Sequence, residues 1–185
     1  MKFSPFTIGV VLLGVFAVLG GLLMNAPTVS GSKLKHIQTF NDASGILQAL
    51  RNFEAEYHRL PNVGALDLTT DSREGRKLLA ILLGKEAVGS GMENPRQITF
   101  LGSPKVNKTK AKGGLVYSNG GSGATPEGLY DAWGEPYEVF LRVGGEDALT
   151  FHDGKAIVQL PGTAAAVLSK GPDKIKGTDD DIQKW

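Results

Sequence analysis

The sequence lacks cysteine altogether and has only three histidines in 185 residues. Without cysteine the chain can form no disulfide framework, no thiolate nucleophile and no zinc–thiolate site. His36, His58 and His152 are isolated in the sequence, and none has a partner at metal-ligand spacing. The glycine-rich segment 118–123 lacks the Gly-Lys-Ser/Thr of a phosphate loop. We therefore expect that the chain is not an enzyme.

An excess of charge of one sign is also missing, because the formal net charge is +1. Nucleic-acid-binding proteins normally carry a basic patch and a high pI, so this balance argues against that class. One basic run lies among Asn, Thr and Gly without aromatic neighbours, at Lys105, Lys108, Lys110 and Lys112. We interpret this run as a solvated loop. The length of the chain fits one domain with a core of its own.

The amino end carries an uncharged apolar run from Phe6 to Met24. Its length is about that needed to cross the roughly 30 Å hydrocarbon layer as a helix. We expect residues 1–25 to be a transmembrane anchor or an uncleaved leader, 26–32 a linker and 33–185 the globular domain. A signal peptide cleaved near Gly31 is the alternative.

An amphipathic helix is predicted before Pro61, because the residue preceding a proline is driven out of helical geometry. Four apolar side chains recur at intervals of four, three and four and share one face of this helix, namely Ile46, Leu50, Phe53 and Tyr57. Its N-cap is expected at one of three residues, Asn41, Asp42 or Ser44. A shorter apolar series indicates an earlier helical segment, with Leu34, Ile37 and Phe40.

A second helix is predicted at 72–83, capped by Asp71 or Ser72 and closed by Gly84. Residues 102–127 are rich in Gly, Ser, Lys and Asn and are expected to form a long mobile loop. Four strands should follow, at Tyr137–Val143, Leu149–His152, Ala156–Leu160 and Ala164–Ser169.

Two glycine turns separate the first three of these strands. Gly144-Gly145 and Asp153-Gly154 are both hairpin signals, so we expect an antiparallel sheet built by hairpins. The apolar face of the amphipathic helix needs a large partner, and this sheet is the one available. The chain is therefore predicted to form an α+β domain.

The last seventeen residues gather four aspartates on a backbone rich in Gly and Pro, namely Asp173, Asp179, Asp180 and Asp181. Carboxylates packed this densely repel one another unless a cation lies between them. A hard cation such as calcium takes six to eight oxygens, from carboxylates and backbone carbonyls. A solvated acidic tail is the alternative. Against it, Ile182 and Trp185 end the chain and are expected to be buried.

Three phrases of the sequence occur in a fixed order. Ala55–Pro61 reads AEYHRLP, Asp131–Tyr137 reads DAWGEPY, and Ser169–Asp173 reads SKGPD ahead of GTDDDI and a final tryptophan. Together with the apolar amino end, these phrases resemble the major pseudopilin of type II secretion systems and related type IV pilin-like proteins. The similarity covers most of the chain, weakly at 64–127 and well at 129–185.

This resemblance implies a pilin-like α+β fold, in which a long amino-terminal helix, first transmembrane and then amphipathic, packs on a small antiparallel sheet. It also implies a calcium site in the carboxy-terminal loop. The side-chain ligands would be Asp173 and members of the run Asp179, Asp180 and Asp181. Backbone carbonyls near Leu168 and Ser169 would complete the shell. Adjacent residues seldom both face one ion, which favours Asp179 with Asp181 and leaves Asp180 as the doubtful member.

The function implied by the resemblance is that of a structural subunit of a type II secretion pseudopilus or a type IV pilus-like apparatus. Such a subunit crosses the inner membrane once, places its globular domain in the periplasm and contacts other pilin-like subunits and the inner-membrane secretion machinery. The sequence departs from the family at Pro5, where the leader has glycine, and at Val10, where the family has glutamate. The alternative is a membrane-anchored periplasmic or surface binding module or adhesin with a pilin-like fold that does not polymerise.

Overall fold

A computed structural model of the chain describes residues 31–89, 91–102, 104–118, 125–142 and 144–185. The predicted anchor at 1–25 and the linker up to residue 30 lie outside these residues. Within the described ranges, no helix is both long enough and apolar enough to cross a bilayer. All elements below, apart from the first three residues of the first helix, belong to one compact unit, Leu34–Trp185.

The first helix, α1, spans Gly31–Tyr57. Its predicted apolar face is confirmed, because Ile46, Leu50 and Phe53 are completely buried. Beyond Tyr57 the backbone turns at His58, which has a positive φ of 54°, so the helix ends ahead of Pro61 as expected.

The predicted N-caps of α1 at Asn41, Asp42 and Ser44 are wrong. The helix runs through all three residues, and the hydroxyl of Ser44 donates a hydrogen bond of 2.7 Å to the carbonyl of Phe40 one turn earlier. The segment containing Leu34, Ile37 and Phe40 is part of the same helix, because its spacing continues the helical repeat towards the amino end. Gly31 and Ser32, assigned to the linker, belong to the same helix.

The second helix, α2, spans Arg73–Leu82 and confirms the helix predicted at 72–83. Ser72 is its N-cap, since the hydroxyl accepts a hydrogen bond of 2.9 Å from the Gly75 amide. A Cβ at Gly75 would lie 1.9 Å from the carbonyl oxygen of Thr69. Only glycine therefore allows this close approach of α2 to the preceding strand.

The described residues contain eight strands, β1 (Asp67–Thr69), β2 (Gly114–Tyr117), β3 (Pro126–Tyr130), β4 (Glu138–Leu141), β5 (Ala148–His152), β6 (Ile157–Pro161), β7 (Ala165–Ser169) and β8 (Ile182–Lys184). The main sheet has the order β1-β4-β7-β8, and every pair in it is antiparallel. The pairs β2–β3 and β5–β6 form two separate antiparallel ribbons. The protein is thus α+β, with a long amino-terminal helix and a small antiparallel sheet.

Two predictions about the strands are wrong. No hairpin joins β4 to β5 across Gly144-Gly145, because β4 pairs with β1 on one side and β7 on the other. The predicted loop at 102–127 contains β2, whose Leu115, Val116 and Tyr117 are buried and pair with β3. The hairpin at Asp153-Gly154 is confirmed by the β5–β6 ribbon.

The main sheet is buried on both faces. Val139, Leu141 and Val167 belong to the larger core, together with the buried residues of α1 and α2. Phe140 and Leu168 point the other way and belong to a second core with the β5–β6 ribbon. Burial on both faces explains why β4 and β7 are apolar at nearly every position rather than at alternate ones.

A polar contact joins α1 to the segment that precedes β4. The hydroxyl of Thr39, which is completely buried, accepts a hydrogen bond of 3.1 Å from the Ala132 amide. The phenol of Tyr137 lies 3.4 Å from the Thr39 carbonyl and 3.5 Å from a carboxylate oxygen of Asp42. Burial raises the pKa of Asp42 to about 6, although the hydrogen bond from Tyr137 partly opposes this shift.

We expect Asp42→Asn to stabilise the protein at neutral pH. The pKa of Asp42 is higher in the folded chain than its ordinary value of 3.8, so ionisation disfavours the folded state. This cost grows as the pH rises from about 4 to about 6 and is complete above that window. The free energy of unfolding of the variant should exceed that of the wild type by about 1–2 kcal/mol at pH 7.5.

Urea denaturation at pH 7.5 and pH 4 measures this difference, which should disappear at pH 4. Asp147→Asn, at an exposed position, is the matched control and should change stability equally little at both pH values. An Asp42→Asn variant that is less stable than the wild type at pH 7.5 would contradict the raised pKa of Asp42 in the folded protein.

Candidate metal centre

The loop formed by residues 170–181 closes the antiparallel pair β7–β8, in which Ser169 lies opposite Ile182. Ile182 is buried, as predicted. Trp185 is 44% exposed, so its predicted burial is wrong. It follows the end of β8, and its ring reaches only the border of the second core, 6.5 Å from the ring of Phe151.

Asp131 is completely buried and connects this loop to the turn at 131–135. Its Oδ1 accepts hydrogen bonds of 2.9 Å from the amides of Trp133 and Glu135. Its Oδ2 accepts a bond of 2.6 Å from the hydroxyl of Ser169, which in turn accepts one of 3.2 Å from the Gly171 amide. The turn and the beginning of the loop are therefore one hydrogen-bonded unit.

Three lysines of the loop form ion pairs with the segment 135–138. Lys170 and Lys176 reach Glu138 at 3.4 Å and 2.6 Å, and Lys174 reaches Glu135 at 2.9 Å. Glu138 is only 8% exposed, so its charge needs these partners. These lysines are thus paired with glutamates outside the loop and not with the loop's own aspartates.

The tip of the β5–β6 ribbon packs against the loop through two glycines. Gly154 and Gly177 both have positive φ, and a Cβ at Gly154 would lie 2.7 Å from the nitrogen of Gly177. Next to this contact, the amine of Lys155 donates a hydrogen bond of 2.7 Å to Oδ1 of Asp179. This bond lowers the pKa of Asp179 and raises that of Lys155. Asp179 therefore points towards the ribbon tip and into solvent.

Asp173 and Asp180 are brought together near the start of the loop. Oδ2 of Asp180 accepts a hydrogen bond of 3.2 Å from the Asp173 amide, and its Oδ1 accepts one from the hydroxyl of Thr178. The bond from Thr178 lowers the pKa of Asp180. Oδ1 of Asp173 accepts a bond of 2.8 Å from the Ile175 amide. A Cβ at Gly171 would lie only 2.4 Å from the Asp180 carbonyl oxygen, so glycine is required there.

Asp181 is the loop aspartate with an unsatisfied oxygen. Its Oδ2 accepts a hydrogen bond of 2.7 Å from the Gly177 amide, whereas its Oδ1 is buried without a partner among the described residues. Burial raises the pKa of Asp181, and the charges of Asp180 and Asp173 raise it further. A buried carboxylate oxygen without a partner is costly, so this position favours either a proton or a cation.

The predicted ligands are thus distributed unequally. Asp180 is hydrogen-bonded to the Asp173 amide, and the charges of both residues raise the pKa of Asp181. Asp179, which the sequence favoured over Asp180, is instead paired with Lys155. Leu168 and Ser169 lie buried in β7 opposite Gln183 and Ile182. In the part of the chain that the structure describes, no three carboxylate or imidazole groups form a ready-made metal cluster.

Sequence reasoning missed the role of Asp131, which it treated only as part of a turn. The available signal was an aspartate at the start of a Gly- and Pro-containing turn, since such side chains bond to backbone amides two residues further on. It also missed Glu135 and Glu138 as partners of the loop lysines. Finding that pairing requires the register of β7 with β4, which the sequence does not display.

Comparison of the chain with models of protein families, with curated proteins and with solved structures gave no match. All three histidines are exposed: His36 is in α1, His58 is in the bend after it and His152 is in β5. Among the described side chains of the loop, the carboxylates of Asp173, Asp180 and Asp181 are of the kind that a hard cation takes as ligands.

Proposed function

We propose that this chain is a membrane-anchored, calcium-stabilised structural subunit of a type II secretion pseudopilus or a type IV pilus-like apparatus, with a pilin-like fold. The observation that carries the proposal is the division of α1 into two halves. Its second half is buried against the rest of the domain, whereas its first half, which is separated by six residues from the apolar run Phe6–Met24, leaves an apolar series uncovered.

The uncovered series has the spacing of a helix–helix contact. Leu34, Ile37 and Phe40 follow one another at intervals of three residues and are 55%, 45% and 42% exposed. Of the three, Phe40 is contacted by the amine of Lys184, which lies 3.4 Å from the centre of its ring. Apolar stripes of this kind are normally buried by another helix. The proposed partners are the equivalent helices of other pilin-like subunits, with the inner-membrane secretion machinery below them.

The proposed location is the inner membrane, with one crossing and the globular domain in the periplasm. The uncharged run Phe6–Met24 has the length for such a crossing. It precedes α1 by only six residues, so the domain would remain close to the membrane surface.

Calcium is proposed as the cation of the carboxy-terminal loop. Oδ1 of Asp181 is buried without a described partner, and the carboxylates of Asp173 and Asp180 are close enough to raise the pKa of Asp181. These three aspartates would supply the side-chain oxygens. Asp179 would have to leave Lys155 in order to join them. Calcium would supply positive charge to a loop whose lysines are paired elsewhere.

The second candidate is a membrane-anchored binding module or adhesin that does not polymerise. Pro5 and Val10 favour it, because they replace the glycine and the glutamate that the family uses for processing and assembly. The two candidates differ in whether the uncovered face of α1 meets other subunits.

We expect calcium to raise the melting temperature of the full-length protein in detergent by roughly 5 °C relative to an excess of chelator, because it binds only the folded loop. Asp181→Asn should remove this increase. In chelator the same variant should be at least as stable as the wild type, because it no longer buries a charged oxygen. Thermal unfolding followed by circular dichroism measures both effects.

Asp179→Asn is the matched control, since this carboxylate is exposed and directed at Lys155. It should keep most of the increase caused by calcium. The same melting temperature with calcium and with chelator in the wild type would remove the metal from the proposal, even if assembly were demonstrated.

Assembly predicts a ladder of higher species when the protein is extracted from its membrane in mild detergent and treated with an amine-reactive crosslinker. Ile37→Asp should abolish the ladder, because it places a charge in the uncovered series of α1. Gel electrophoresis with detection of the chain measures the distribution of species.

Ile157→Asp provides the control, because Ile157 is 71% exposed on β6, far from α1 in the sequence. This variant should keep the ladder. A wild-type protein that runs only as a monomer after crosslinking would contradict the subunit and favour the module that does not polymerise.

A further inference from the structure

Four exposed lysines lie beside the first half of α1. Lys35 belongs to the helix itself, and the other three belong to the segment that leads into β2. We refer to them as the basal lysines, Lys35, Lys108, Lys110 and Lys112. The sequence predicted a solvated loop for the last three, but it gave no indication that they lie next to α1.

Two close backbone contacts place this segment beside the helix. The turn at 131–134 is bound to α1 by the hydrogen bond from the Ala132 amide to Thr39. The single 3-10 turn Lys110–Lys112 stacks on the same turn, since a Cβ at Gly134 would lie 3.1 Å from the Lys110 carbonyl oxygen. A Cβ at Gly113 would lie 2.5 Å from the carbonyl oxygen of Asp131. The turn at 131–134 therefore touches both α1 and the segment 110–113.

Lys35 lies on the same side of the helix as this contact. It precedes Thr39 by four residues, so the two side chains follow one another along one face of α1. The side chain of Lys35 is also closer than Thr39 to the amino end of the helix. Lys35 therefore lies towards the end of α1 that follows the apolar run Phe6–Met24, and the turn at 131–134 brings the segment of Lys110 and Lys112 close to the same half of the helix.

The basal lysines differ from the lysines of the carboxy-terminal loop in forming no ion pair among the described residues. Among the described residues, ion pairs are formed by Lys155, Lys170, Lys174 and Lys176 and by three arginines, but by none of the basal lysines. Four exposed lysines without an ion pair beside the same half of α1 form a local cluster of positive charge.

We propose that the basal lysines contact the headgroups of anionic phospholipids at the membrane surface. This proposal rests on the membrane anchor of the proposed function. The chain between Met24 and Gly31 can span at most about 25 Å, so the headgroups stay within reach of an anchored domain. Juxtamembrane lysines are attracted to an anionic surface within about one Debye length. Because the anchor already holds the domain, a weak contact suffices to orient it.

The contact would hold the first half of α1 beside the bilayer in a fixed orientation. Its uncovered apolar series would then be presented at one height above the membrane in every copy. An anionic protein surface is the other partner that such lysines could bind, and the experiment below separates the two.

The test is lysine acetylation of the full-length chain, reconstituted in vesicles of pure phosphatidylcholine or of phosphatidylcholine with about one third phosphatidylglycerol. Mass spectrometry gives the acetylation rate of each lysine, and flotation gives the fraction of chain bound to vesicles. The acetylation rates of the basal lysines should be lower on the anionic vesicles by a factor of about two or more. Salt at about 0.5 M should remove this difference between the two kinds of vesicle.

Lys77 is the internal control, because its amine donates a hydrogen bond to the Asn62 carbonyl beyond the far end of α1. Thr39 and Tyr57 are separated by about 27 Å along the helix axis. Lys77 should react equally in both kinds of vesicle. Lys110→Glu combined with Lys112→Glu should remove the protection of Lys35 and Lys108, whereas Lys77→Glu should leave it unchanged.

The outcomes separate this proposal from the anchor. Equal acetylation of the basal lysines on both kinds of floated vesicle would overturn the lipid contact and leave the anchor intact. A chain that floats with the anionic vesicles but not with vesicles of pure phosphatidylcholine would support the lipid contact and contradict the anchor. Protection that appears only after an acidic protein is added, on either kind of vesicle, would replace lipid by protein as the partner.

Discussion

The carboxy-terminal half of the structure depends on the hydrogen bonds that the carboxylate of Asp131 accepts. This carboxylate is buried, and it accepts hydrogen bonds from two amides of its own turn and from the hydroxyl of Ser169. Replacing the Ser169 hydroxyl by an apolar group would leave a buried carboxylate oxygen short of a partner, which costs more than the lost bond alone. The turn at 131–135 therefore fixes both the end of β7 and the loop that follows it.

The same turn connects the loop to α1, because Ala132 binds Thr39. One face of the main sheet packs on α1, and the other face packs on the β5–β6 ribbon. The tip of this ribbon contacts the loop through Gly154 and Gly177. The loop is thus held by charge pairs, by glycine contacts and by Asp131 together. What these contacts leave unsatisfied is Oδ1 of Asp181, and the proposed cation would complete that position.

Features governed by neighbours in the sequence could be predicted, and those governed by strand register could not. The apolar spacing of Ile46, Leu50 and Phe53 and the cap at Ser72 are local properties of a helix, so both predictions are confirmed. Gly144-Gly145 carries the same turn signal as Asp153-Gly154, yet only the latter joins a hairpin. The difference arises because β4 pairs with β1 and β7, which are distant in the sequence.

The same limit applies to the candidate metal site. The four aspartates are visible in the sequence, but the pairing of Asp179 with Lys155 depends on the ribbon tip, which is more than twenty residues away.

The most direct test of the role of Asp131 is amide hydrogen exchange in the wild type and in Asp131→Ala. We expect slow exchange at Trp133 and Glu135 in the wild type, and faster exchange in the variant both there and throughout 170–181. Faster exchange confined to the turn at 131–135, with the loop unchanged, would contradict the dependence of the loop on Asp131.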